Sequence, residues 1–89
     1  MTADEFLHKM LDDKDFAITV VQHIQGGYPK KKKDLCEALA KAATSMEYDF
    51  TSQQIADGLS RLWLMRSIFS GSQLRLAIRK AWTKVRTEG

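Results

Sequence analysis

Apolar residues recur three and four positions apart along nearly the whole chain, and the alternation of β-branched with polar residues that marks a half-buried strand is missing. A backbone patterned this way buries its apolar stripes only by packing helix on helix, so the sequence specifies an all-α fold. Proline, which would interrupt such a pattern, occurs once, at Pro29. With 89 residues, two separate cores would each be too small to hold together. The expectation is one domain over residues 1–89, a small bundle of about five short helices.

Punctuation along the chain places those helices. Thr2 and Glu5 have the spacing of a capping box, which starts a first helix carrying Phe6, Leu7, Met10 and Leu11. The acidic run from Asp12 to Asp15 interrupts that stripe and suits the positive end of a second helix, which would bury Phe16, Val20, Val21 and Ile24. Gly26-Gly27, followed by Pro29, is expected to stop it and to open the main loop over residues 26–33. An alanine-rich third helix is expected over 34–45. A fourth should start at Thr51, where Gln54 completes a capping box and Phe50 can staple onto Ile55. It would run through Phe69 to Ser70-Gly71-Ser72, after which a basic fifth helix places Leu74, Ala77, Ile78, Ala81, Trp82 and Val85 on its apolar side.

Charge is unevenly spread. Residues 1–29 hold five acids against two lysines, while residues 30–89 hold twelve basic residues against six acids. Such a polarised molecule suits an acidic or phosphate-bearing partner. The densest charge is Lys30, Lys31, Lys32 and Lys33, read as part of the loop. The fifth helix adds Arg75, Arg79, Lys80, Lys84 and Arg86, with Arg75, Arg79 and Arg86 near one another by helical spacing. Lys30 to Lys33 together with Arg75, Arg79, Lys80 and Arg86 are therefore the expected contact residues for a protein partner or for nucleic acid. The segment containing Leu62, Trp63, Met65 and Phe69 is apolar on nearly every side, so it is either the central helix of the bundle or the interface of a homodimer.

Phe6-Leu7, Asp15-Phe16 and the run Tyr48-Asp49-Phe50-Thr51-Ser52-Gln53-Gln54-Ile55 resemble the Nif-eleven-like leader-peptide family over about residues 5–59. The resemblance implies a helical recognition module over 1–59, followed here by an apolar and then basic extension over 60–89. Members of that family are leaders read by modifying enzymes and cleaved after a double glycine. Residues 60–89 contain no cysteine and carry no recognisable core peptide, which departs from the family pattern.

Catalytic and metal-binding residue types are sparse. His8, His23 and Cys36 fall on three different predicted helices, and no Cys/His spacing matches a metal site. Neither an enzyme nor a cofactor is expected. The lone cysteine needs no oxidising compartment, and no run approaches the roughly 20 apolar residues that span a bilayer. The expected function is a cytoplasmic protein-binding adaptor with a basic C-terminal half. Two alternatives are a nucleic-acid-binding regulator using the lysine run and the basic helix, and a precursor cleaved after Gly27.

Overall fold

The computed structural model describes residues 1–65 and 70–88, with the side chains at 63, 65, 70–72 and 88 outside that description. Five helices account for most of it: α1 (Ala3–Asp12), α2 (Lys14–Gln22), α3 (Lys32–Ser45), α4 (Ser52–Met65) and α5 (Ser70–Glu88), with no strand among the described residues. The Cα radius of gyration, 11.8 Å, matches the roughly 12 Å of one compact domain of this length. Among the described residues, no helix is long and apolar enough to cross a membrane.

The starts of α1, α2 and α4 follow the expected caps. The Glu5 N–H donates to Thr2 Oγ1 at 3.2 Å, and the Thr2 N–H donates to Glu5 Oε1 at 3.3 Å. Asp13 closes α1 and opens α2: its carboxylate accepts from the N–H groups of Asp15 and Phe16 at 3.0 and 3.1 Å. At α4 the Gln54 N–H donates to Thr51 Oγ1 at 3.1 Å and the Thr51 N–H to Gln54 Oε1 at 2.9 Å. Phe50 and Ile55, the two ends of the expected staple, are both buried.

Three boundaries differ from the sequence reading. Helix α2 ends at Gln22, before the glycine pair, because His23 and Ile24 turn back onto the carbonyls of Val20 and Val21 at 3.0 Å and tighten the last turn. Gly26 does take a left-handed conformation, φ +88°, but within the loop and not as the helix cap. Helix α3 begins at Lys32, so Lys32 and Lys33 form its first turn instead of ending the loop. Helix α5 begins at Ser70, so Ser70-Gly71-Ser72 is helical backbone, not the turn before a helix. One glycine costs a helix about 1 kcal/mol, which burial of Leu74 and Ile78 a turn later outweighs. Phe69 lies outside the described residues.

The core is organised around Phe6, which has no exposed surface. Its ring meets Phe16, Phe50 and Tyr48 edge-on, with centroids 5.4, 5.5 and 5.8 Å away, and Tyr48 stacks on Phe50. This cluster ties α1 to α2 and to the α3–α4 connection. The connection is positioned by a helix-end motif in which the Tyr48 N–H donates to the Ala43 carbonyl at 2.9 Å and Glu47 sits at φ 70°.

Helix α4 lies close against α1 at Gly58, which is buried. A Cβ there would stand 2.9 Å from Leu7 Cδ1 and 3.0 Å from Asp4 Oδ1. Next to this approach Arg61 donates to both oxygens of Asp4 at 2.8 Å, and that bidentate bond holds the Asp4 carboxyl below its usual range. Helix α5 packs along α2 and contributes Leu74, Ile78 and Ala81 to the same core, so α5 is part of the fold and not an appendage to it.

Two substitutions test this packing. Phe6→Ala removes the hub of the aromatic cluster and should cost about 3–5 kcal/mol in denaturant unfolding. Gly58→Ala should be destabilising by about 1 kcal/mol, even though alanine is the better helix former. Leu7 is fully buried and Asp4 is held by Arg61, so neither neighbour yields cheaply and overpacking of about 1–3 kcal/mol exceeds the propensity gain of about 1.

Candidate binding surfaces

The loop between α2 and α3 is seated on α5. Arg75 donates to the Lys30 carbonyl at 3.2 Å, and Arg86 donates to the Gly26 carbonyl at 3.3 Å. Between these two anchors Tyr28 meets Trp82 edge-to-face with ring centroids 5.8 Å apart, and Pro29 is buried. The Arg86 guanidinium also lies over the Trp82 ring, 4.6 Å from its centroid. Both arginines therefore satisfy backbone carbonyls that helices leave unpaired in a loop, and together with Trp82 they clasp residues 26–30 onto one flank of α5.

This clasp unites sites that are distant in sequence. Lys30 and Lys31 are exposed on the loop, Lys32 is exposed in the first turn of α3, and Arg79 is exposed on α5 between Arg75 and Arg86 by helical spacing. The buried Cys36 lies beneath them: burial raises its thiol pKa, while the positive charges of Lys32 and Arg75 pull the other way. A thiol held in its protonated form is a poor nucleophile. Lys32 and Lys33 both line, with Cys36, Glu37, Ser52 and Gln53, a shallow cleft between α3 and α4, and of the two it is Lys32 whose charge acts on Cys36 together with that of Arg75.

Lys80 departs from the expected group. It stands one residue after Arg79, about 100° round the helix, and lies on the opposite flank of α5. There it borders a groove of about 440 Å³ between α5 and the α1–α2 corner. The walls include Met10, Leu11, Ala17, Ile18, Leu76 and Ala77, and the charged side chains lining it are Lys14, Lys80, Lys84 and Asp15. Leu76 is 51% exposed although it stands amid this apolar lining. The sequence reading missed this site. Its one local signal is that Leu76 falls outside the apolar stripe of α5; the opposite wall comes from residues some sixty positions earlier, which no local pattern connects to it.

Of the expected oligomer contacts, Leu62 is 1% exposed and belongs to the interior of the single chain. It packs inward with Ile55 and Leu59, one turn apart on α4, and so cannot face a second subunit. The side chains of Trp63 and Met65, like Phe69, lie outside the described residues. Leu64, at 87%, is the most exposed large apolar side chain of those described.

His23 caps α2 with Nδ1 2.8 Å from the Thr19 carbonyl. Among the described residues no group of three or more His, Cys, Asp or Glu side chains is arranged to hold a metal ion. The glycine pair falls inside the clasped loop, and residues beyond it supply α3, α4 and α5, so a cut after Gly27 would divide the core. Compared with models of known families, with curated proteins and with solved structures, the chain matches none.

If the clasp holds the loop, replacing both Arg75 and Arg86 by alanine should speed tryptic cleavage at Lys30 and Lys31 severalfold while leaving the helical circular dichroism in place. Unchanged cleavage kinetics would show that the loop is held by other contacts.

Proposed function

We propose that this chain is a non-enzymatic recognition module that binds a protein partner, receiving an acidic amphipathic helix of that partner in the groove beside Leu76. The carrying observation is the groove itself: an apolar trough left open to water, with three lysines and one aspartate at its edge. Open apolar walls favour a ligand that removes them from water, at roughly 25 cal/mol per Å² buried. The lysines favour one that is apolar on one face and acidic on its flanks. From Gln73 to Lys84 the α5 wall rises about 16 Å, long enough to match three turns of a docked helix.

Such a helix would present large apolar side chains at i, i+3 or i+4 and i+7, with Glu or Asp beside them. This reading keeps the protein-binding role expected from the sequence but moves the contact from the arginine flank to the groove. The partner's acids would meet Lys14, Lys80 and Lys84, and its apolar anchors would meet Leu11, Ile18 and Leu76.

The test uses a synthetic leucine-glutamate amphipathic peptide, a lysine-flanked version of the same peptide, and amide shift mapping on the full chain. The acidic peptide should perturb Ile18, Leu76 and Lys80 and bind about tenfold tighter than the basic one. Leu76→Asp should abolish that binding while Leu64→Asp leaves it intact, since both leucines are already exposed. Equal binding of the two peptides, shifts confined to another surface, or a groove already filled by a second copy in sedimentation would overturn the proposal.

A further inference from the structure

The opposite flank of α5 carries a separate surface, and it has a different chemistry from the groove. Arg75, Arg79 and Arg86 stand in line along the helix, spanning about 16 Å at a rise of about 1.5 Å per residue. The clasp joins Lys30 to Arg75, Lys31 follows it in the chain, and Lys32 acts with Arg75 on the same buried Cys36, so three lysines adjoin this row. We infer that this joined face is a nucleic-acid-binding surface that grips the phosphodiester backbone without reading bases.

Three features of the face select that ligand. Its cations stand apart from apolar surface: the cleft of about 480 Å³ walled by Val21, Ile24, Trp82 and Val85 is lined by Arg86 and by none of the other five cations, and Arg86 covers the Trp82 ring. Protein interfaces are built round a desolvated apolar core ringed by polar groups, whereas here five of the six cations lie outside the apolar cleft. A membrane-surface helix must sink an apolar face into lipid, yet the apolar face of α5, with Leu74, Ile78 and Ala81, is spent in the domain interior. What is left is a row of long cations, the chemistry that suits a row of phosphates.

The same features make the binding indifferent to sequence. Asparagine is absent from the chain, and Gln22 shares a cleft with Arg86 and with none of the other five cations, so the row carries no series of amides to pair with base edges. With Arg86 lying over Trp82, that face of the indole is closed to a stacked base, and base stacking is what gives single-strand binders their aromatic platform. Along a helically stacked strand, whose phosphates advance roughly 3.4 Å each along the axis, the 16 Å reach passes about five phosphate levels. The arginines that clasp the loop are not lost to the ligand, because each guanidinium has five N–H donors and the carbonyl bond described for it uses one.

Fluorescence anisotropy with labelled polythymidylate, polyadenylate and a duplex tests this on the full chain, alongside phosphatidylserine vesicles and polyglutamate at matched salt. The expected result is comparable affinity for both homopolymers, falling with salt at a log–log slope of about −3 to −4 for a single strand. The triple change Lys30→Gln, Lys31→Gln and Arg79→Gln should weaken binding by about tenfold or more and flatten the slope. All three side chains are exposed, and Arg79→Gln alone, expected to give a smaller loss in the same direction, guards against a folding effect. Leu76→Asp should leave nucleic-acid binding unchanged, so failure of the groove reading and failure of this one can be told apart. The inference is overturned if nucleic acid does not bind at low salt. It is overturned equally if binding ignores these substitutions, if one homopolymer is strongly preferred, or if vesicles or polyglutamate bind tighter than either strand.

Discussion

Phe6 is the side chain on which the fold converges. Its ring takes an edge from α2 through Phe16 and two from the α3–α4 connection through Tyr48 and Phe50, while its own helix is anchored by a full capping box at Thr2. Edge-to-face contacts of this kind have directional preference, so they set how the connection lies and not merely how much surface it buries. Once α1, α2 and that connection are fixed, Thr51 starts α4 in one place. Gly58 then lets α4 come close enough to α1 for Arg61 to reach Asp4.

That arrangement leaves α5 to close the structure, and it does so with three faces of different character. One face buries Leu74, Ile78 and Ala81 against the rest of the domain. A second carries the arginines that hold the α2–α3 loop, and the third meets the α1–α2 corner across an open trough lined by Leu76 and lysines. The basic C-terminal helix is therefore not one surface. A residue such as Lys80, adjacent in sequence to Arg79, serves a site on the other side because each step turns the helix by about 100°.

The aromatic residues that carried the likeness to a leader-peptide family, Phe6, Phe16, Tyr48 and Phe50, are the members of the central cluster. Packing accounts for each of them, and Thr51 with Gln54 is accounted for by its cap. Much of the fold was legible for this reason: caps, staples and apolar spacing are local, and a local signal survives in a linear string. The glycine pair misled for the opposite reason. It marks a left-handed residue correctly, but helix α2 had already ended at Gln22 through hydrogen bonds of its own.

By itself, then, the sequence determined the all-α class, the five helices, the capped starts of α1, α2 and α4, and the apolar stripe of α5, since each follows from backbone hydrogen bonding and a 3.6-residue period within a dozen positions. Tertiary structure alone decided which charges share a surface. Lys30 and Arg75 lie forty-five residues apart, and a carbonyl–guanidinium bond at 3.2 Å joins them. Leu11, Ile18 and Leu76 likewise share a trough only after α5 has settled along α2. Both candidate surfaces depend on how that last helix is rotated, and its rotation is set by the interior it completes.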